Sequence, residues 1–180
     1  IEKTISTYLE NAGSRWDSIF EGIKIVIEGA HTSSGPLAKQ AFSALGAKTF
    51  LLHGDVEPVR GEHTADPSIK QNLVSLYREM EDKEAHMGIA FDLDGDRGAI
   101  VLRTEDGEFV DLPPDKIGQV LIPFLMNVGG YNETDKPLYI RDCLSTDAIL
   151  DQAGKSGVTM ETTDAGYVFL KKREKERLAE

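Results

Sequence analysis

Short apolar runs alternate with segments of helical periodicity along most of the chain. Four runs predict buried strands, at residues 23–27, 48–52, 87–91 and 98–102. The first run, Ile-Lys-Ile-Val-Ile, is almost wholly apolar, which is typical of a strand covered on both faces. Asp106-Gly107 is a hairpin signal and predicts an antiparallel partner strand at 108–110.

Helical patterns fill the spaces between these strands. Ser34 is the expected cap of the first helix, Pro36 suits its first turn, and Gly46 is the expected stop. The pattern places Leu37, Ala41 and Leu45 on one face of this helix. Apolar residues at helical spacing predict two further helices. The first has Ile69, Leu73, Leu76, Tyr77 and Met80. The second begins after a cap at Asp115 and has Ile117, Val120, Leu121, Phe124, Leu125 and Val128.

Gly129-Gly130 and the polar residues 131–136 mark the expected boundary between two domains. The pattern then restarts with strands at 138–141 and 158–161 and with helices at 146–153 and after Gly166. Strands separated by helices predict an α/β fold. We expect a mostly parallel mixed sheet, flanked by helices in three layers, over residues 1–130, and the start of a second, similar α/β domain over residues 131–180.

Composition narrows the choice of partners and compartment. The net charge of −11 disfavours binding to nucleic acid or to an anionic membrane surface, because both repel an acidic protein. The apolar runs are far shorter than the roughly 20 residues of a membrane span. A single cysteine, Cys143, fits a reducing cytosol and is expected to be a small packing residue. His53 and His63 are expected to be ordinary surface residues.

The third strand runs into an acidic loop. Asp92, Asp94 and Asp96 stand at alternate positions, and three such carboxylates repel one another unless a cation lies between them. Oxygen ligands without a nearby His or Cys suit Mg²⁺. Gly95 lets the backbone curl so that the side chains converge, and Arg97 adds a cation suited to a phosphoryl oxygen.

Several other interpretations compete for this loop. It is a solvated acidic turn if no ion binds. The spacing excludes an EF-hand, because Arg97 and Arg103 stand where Gly and Glu are required. A haloacid-dehalogenase-like phosphatase would use Asp92 as nucleophile and Asp94 as general acid and base. Asp96-Arg97 departs from that motif. A non-enzymatic module that binds divalent cations is the third alternative.

Residues 88–97, GIAFDLDGDR, resemble the metal loop of the α-D-phosphohexomutase family. Other parts of the chain resemble the same family less specifically. Residues 1–9 and 23–46 are similar to the opening helix, strand and loop of its second domain, and Asp66-Pro67 with Asn72-Leu73 to the stretch before its metal strand. Residues 164–171 are similar to a segment early in its third domain.

This resemblance implies a function. It makes Asp92, Asp94 and Asp96 the Mg²⁺ ligands and places Arg97, as a catalytic residue, beside a phosphoserine that another domain supplies. In such enzymes the phosphoserine gives its phosphoryl group to a hexose phosphate, and the resulting bisphosphate returns the other phosphate. The implied partners are the hexose phosphate and the remaining domains of a cytoplasmic parent protein.

The chain also departs from the family pattern. It lacks the serine loop, and Ser33-Ser34 is expected to be a helix start. Leu93 replaces a small residue, Tyr167 stands where a His is common, and the sugar-binding loop has no counterpart. Because the chain begins Ile-Glu-Lys-Thr, we interpret its start as a cut within a longer protein. A fragment of this kind is expected to bind metal without turning over substrate.

Overall fold

The computed structural model describes residues 18–56, 66–112, 114–128 and 137–179. The chain forms two compact units, which divide between residues 113 and 114. The opening helix suggested for residues 1–9, His63 and the predicted boundary at 130–131 lie outside the described residues. That boundary therefore stays a prediction.

The first unit contains a five-stranded sheet in the order β2-β1-β3-β4-β5. β2 and β3 pair with β1 in parallel, whereas β4 pairs with β3, and β5 with β4, in antiparallel fashion. Its elements are β1 (Lys24–Glu28), α1 (Ser34–Ala44), β2 (Lys48–Leu52), a short 3₁₀ turn (Lys70–Leu73), α2 (Val74–Asp82), β3 (Met87–Phe91), β4 (Gly98–Arg103) and β5 (Phe109–Leu112). The mixed α/β sheet is confirmed. The direct antiparallel return of β4 was not expected, and it follows from a connection of only residues 92–97, which is too short for a parallel crossover.

The sheet is covered on both faces, so the first unit has three layers. Ile25, Ile27 and Ile89 point to one face and pack against α1 through Ala38. The other face, with Val26, Ala90 and Val101, packs against Leu76 and Met80 of α2. This arrangement explains the nearly continuous apolar run of β1, because its alternate residues enter two different cores.

Helix α1 packs on a different face from the predicted one. Leu37 is 39% exposed, and Ala38 and Phe42 make the core contacts. The cause is a close approach of backbones, since a β-carbon built on Gly35 would lie 2.5 Å from Cα of Gly29. The capping prediction for Ser34 is wrong, because Ser34 is already helical and Ser33 occupies the cap without a side-chain hydrogen bond. The helix-start interpretation itself is confirmed.

The second unit has a parallel pair of strands, β6 and β7. Ile122, Ile149 and Ala153 form its core. Its elements are α3 (Pro114–Val128), β6 (Leu138–Asp142), α4 (Ala148–Lys155), β7 (Thr159–Thr163) and α5 (Tyr167–Leu178). The sequence pattern placed α3 in the first domain, whereas α3 contributes Ile122 to the core of the second unit. Ile122 lies outside the predicted apolar face of this helix, and that prediction is wrong because Val120, Leu121 and Phe124 of the predicted face are exposed.

Two expectations about the surface and the membrane can be compared with these elements. Cys143 is exposed after β6, so the prediction that it is a small packing residue is wrong. Within the described ranges, none of the helices combines the length and apolar character that crossing a bilayer requires.

Tyr77 links α2 to the edge strand β5, and its ionisation lowers the stability of the fold at alkaline pH. Its hydroxyl donates to Oδ1 of Asp111 at 2.5 Å, and Nζ of Lys70 lies 3.1 Å from Oδ2 of Asp111. Burial, together with the hydrogen bond to Asp111 and the charge of Asp111, raises the pKa of Tyr77 from 10.0 to about 12. The folded chain thus holds this proton more tightly than the unfolded chain, and the resulting stability is lost as pH rises from about 10 to about 12.

We expect Tyr77→Phe to reduce the loss of stability between about pH 10 and about pH 12. Urea unfolding of both proteins across this range measures the effect. The lysines titrate in both proteins, so only the difference between the two slopes reports on Tyr77. Parallel slopes would contradict the assignment.

Candidate metal centre

The acidic loop is the turn of the β3–β4 hairpin. The backbone N–H of Asp92 donates to the carbonyl of Arg97 at 3.1 Å, which extends the strand ladder by one bond. Gly95 N–H donates to the Asp92 carbonyl at 3.2 Å. Gly95 has φ of +74°, in the left-handed region that favours glycine. The predicted curl at Gly95 is present in the structure.

The loop brings the three predicted carboxylates together. Asp92, Asp94 and Asp96 each offer an oxygen, and these oxygens lie within 4.8 Å of one another. Asp92 is buried, whereas Asp94 and Asp96 are exposed. Two oxygens on one Mg²⁺ are at most about 4.2 Å apart, since each Mg–O bond is about 2.1 Å long. Small side-chain movements therefore suffice to close the cluster on an ion.

Arg97 is bound to the buried member of the cluster. Its backbone N–H donates to Oδ1 of Asp92 at 3.1 Å, and its Nε–H donates to Oδ2 at 2.7 Å. Nε also lies 3.8 Å from Oδ1 of Asp96. The Arg97 side chain is 66% exposed, so its charge remains accessible from solvent beside the carboxylates. This orienting contact with Asp92 is additional to the phosphate role that the sequence suggests.

The electrostatics of the cluster favour a cation. The charge of Asp94, with burial and the charge of Asp92, raises the pKa of Asp96. Burial alone would raise the pKa of Asp92, but hydrogen bonds and charge from Arg97 outweigh it and lower that pKa. Arg97 thus keeps Asp92 ionised, whereas the charges of the neighbouring carboxylates disfavour ionisation of Asp96. An ion with a preference for oxygen ligands, such as Mg²⁺, fits this donor set.

The position of the loop in the fold also suits a ligand site. Strands β1 and β3 are parallel neighbours, so the loop after β1 and the acidic loop after β3 lie at the same edge of the sheet. The edge formed by the carboxyl ends of parallel strands is the usual place for ligands in open α/β sheets. Asp92 follows the carboxyl end of β3 directly.

A second buried carboxylate lies at the same edge and was missed. Glu28, at the carboxyl end of β1, is 3% exposed. Nδ1 of His53 lies 2.8 Å from its Oε2. His53 therefore is not an ordinary surface residue, and that prediction is wrong. The sequence did contain a signal for this pair, because Glu28 ends an apolar strand just before Gly29. A carboxylate buried at such a position requires a partner.

The segment that includes Asp66 reaches this edge as well. Asp66, Pro67 and Asn72 line a shallow cavity together with Glu28 and Phe91. The Ser68 side chain and backbone N–H both donate to Oδ1 of Asp66, which lowers the pKa of Asp66. Two of the less specific sequence matches, at residues 23–46 and 66–73, thus contribute residues to the edge of the sheet where the acidic loop lies.

Comparison with known proteins identifies the family. The family model for phosphoglucomutase/phosphomannomutase, alpha/beta/alpha domain II, matches residues 6–107, which is more than half of the chain. The chain belongs to the phosphoglucomutase/phosphomannomutase family. The matched region contains the acidic loop, and the three layers of the first unit agree with the alpha/beta/alpha description. Membership in this mutase family favours the phosphohexomutase interpretation over the phosphatase one.

Individual members of the mutase family cover most of the chain. A phosphomannomutase/phosphoglucomutase from Pseudomonas syringae is 27% identical over 170 residues, which is 84% of this chain and 35% of the relative. A crystal structure of a family protein from Burkholderia thailandensis has a TM-score of 0.74 at 26% identity and covers 96% of this chain and 35% of that one. This chain therefore spans about a third of the length of these relatives.

A more distant structure shares the fold alone. The N-acetylphosphoglucosamine mutase of Aspergillus fumigatus, solved in complex with GlcNAc-6P and magnesium, has a TM-score of 0.61 at 14% identity. The match covers 86% of this chain and 33% of that one.

Proposed function

We propose that this chain is the magnesium-binding part of a phosphohexomutase that moves phosphate between the 1- and 6-positions of a hexose phosphate. The observation that carries the proposal is the convergence of Asp92, Asp94 and Asp96 in the acidic loop of a mutase-family chain. The magnesium bound to the Aspergillus mutase supports the choice of ion. The hexose phosphate and the rest of the parent protein are the proposed partners.

The aspartates and the arginine of the loop have different proposed roles. Asp92, Asp94 and Asp96 would hold Mg²⁺, which when bound neutralises charge on the transferring phosphoryl group. Arg97 holds Asp92 through its backbone N–H and Nε–H, so the buried ligand is oriented before an ion arrives. The guanidinium of Arg97 is exposed beside the carboxylates, which supports a role in binding a phosphoryl oxygen.

The chemistry needs a phosphoserine from another part of the parent protein. The bond between phosphorus and the serine oxygen breaks, and the serine oxygen takes up a proton. A new bond forms between phosphorus and the oxygen of a hexose hydroxyl, whose proton leaves to a base. The bisphosphate then turns around and returns its other phosphate to the serine. The electrostatic contribution of this chain is the same in both transfers, because the same loop faces the same serine phosphate position.

We expect the isolated chain to bind Mg²⁺ and to bind it more tightly when inorganic phosphate is present, since phosphate supplies further oxygen ligands. Calorimetric titration, corrected for free magnesium phosphate, measures both affinities. Arg97→Gln is expected to remove the phosphate effect. Arg103→Gln, which changes an arginine at the end of β4 paired with Glu81 of α2, is expected to retain it. A coupled assay with glucose 1-phosphate is expected to detect no turnover.

Two results would count against the proposal. Turnover by this chain alone would contradict its assignment as a part that needs a phosphoserine from elsewhere. A preference for Ca²⁺ with no effect of phosphate would favour a non-enzymatic cation-binding module. The cytoplasmic location, and the expectation that neither nucleic acid nor membrane is a partner, stay predictions.

A further inference from the structure

The loop between β1 and α1 has an uncommon backbone. Ala30 and His31 have φ of 48° and 58°, in the left-handed region that residues other than glycine seldom occupy. Two successive residues of this kind require support from their surroundings. The loop lies at the carboxyl end of β1, next to the strand that leads into the acidic loop.

Buried hydrogen bonds provide this support. Oε1 of Glu28 accepts from the backbone N–H of Ala30 at 2.9 Å, and its other oxygen lies 2.8 Å from Nδ1 of His53. The backbone N–H of His31 donates to the His53 carbonyl at 2.8 Å, and that of Gly29 donates to the Leu52 carbonyl at 3.0 Å. The loop is therefore tied both to its own strand and to the end of β2.

The anchored loop places Ser34 against the acidic loop. A β-carbon built on Gly95 would overlap Oγ of Ser34 and would lie 3.2 Å from its Cβ. Gly95 stands between Asp94 and Asp96, whose side chains are exposed. The backbone at Gly95 thus sets the direction of two exposed carboxylates, and Ser34 limits where that backbone can lie.

We propose that Ser34 is a positioning residue for the metal loop, held in place by Glu28 through the loop at residues 29–33. This inference rests on the proposed function, because its readout is Mg²⁺ affinity. Ser34 binds no ion itself. It acts by keeping Gly95, and with it Asp94 and Asp96, where the three carboxylates converge.

Ser34→Val tests this role, since the added branch would meet Gly95 and displace the loop. Groups that orient metal ligands change affinity by about 10- to 100-fold, so we expect about tenfold weaker Mg²⁺ binding. Ser43→Val, at the other end of the same helix and paired with Thr49, is the matched control and is expected to bind like wild type. Calorimetry well below the unfolding temperature gives the affinities, and thermal unfolding without metal shows that both variants are folded.

Glu28→Gln is the second test and applies even if Ser34→Val fails to fold. We expect it to weaken Mg²⁺ binding, while Glu79→Gln, which changes the net charge equally at a residue paired with Lys83, leaves binding unchanged. A wild-type chain that binds no Mg²⁺ would overturn the proposed function itself. Two results would overturn the positioning role alone, provided that the wild-type chain binds Mg²⁺. One is equal Mg²⁺ affinity of Ser34→Val and Ser43→Val, and the other is wild-type affinity in a folded Glu28→Gln variant.

Discussion

Asp92→Asn is expected to weaken Mg²⁺ binding by at least about 100-fold, because loss of a direct ligand should exceed the loss of an orienting contact. The substitution keeps the shape of the side chain but removes the charge that pairs with Arg97 and attracts the ion. It also turns one oxygen into an N–H donor that opposes the Nε–H of Arg97. Calorimetric titration of the variant measures the change.

Asp82→Asn is the control for Asp92→Asn. It removes the same charge from an exposed aspartate that pairs with Lys83 at the end of α2. Mg²⁺ affinity within about twofold of wild type is expected, since an exposed charge outside the cluster is screened by salt. Similar losses in both variants would mean that the ion responds to overall charge and that Asp92 is not a ligand.

Ile25→Ala is expected to lower the free energy of unfolding by about 2–5 kcal/mol. Ile25 is 0% exposed and points from the inner strand β1 toward helix α1. Because β1 is paired on both sides, the sheet cannot easily shift to fill the cavity that the truncation leaves. Urea unfolding followed by circular dichroism measures the loss. Ile69→Ala makes the same chemical change at a residue that is 41% exposed and is expected to cost less than about 1 kcal/mol.

Comparable losses in the two isoleucine variants would contradict the assignment of the core. In that case the stability of the chain would depend on the segment before α2 as much as on the sheet.

The elements that the sequence predicted well are those whose signal is local. Strands β2 and β3 agree residue for residue with the apolar runs at 48–52 and 87–91. The convergence of the carboxylates in the acidic loop was also predicted, because the three residues lie close together in sequence. Asp92, Asp94 and Asp96 need only a hairpin turn to converge.

The features that the sequence did not predict depend on how separate segments meet. The face of α1 was wrong because Gly35 approaches Gly29 closely, a contact between a helix and a strand end. The partnership of Glu28 with His53 joins the ends of two strands. The predicted face of α3 was also wrong, because Ile122, which lies outside that face, enters a core formed with Ile149 and Ala153 from a later helix, whereas Val120 and Leu121 are exposed.

The hairpin origin of the acidic loop has an energetic consequence. Both ends of the loop are tied into the β3–β4 ladder, so the carboxylates stay close even when no ion separates them. In the unfolded chain the same charges are free to move apart, and the metal-free fold therefore bears a repulsion that unfolding relieves. A bound divalent ion offsets the repulsion between the carboxylates. Because the ion binds only the closed loop, it also shifts the equilibrium away from the open hairpin. Local opening of β4 and loss of the ion would then be one event.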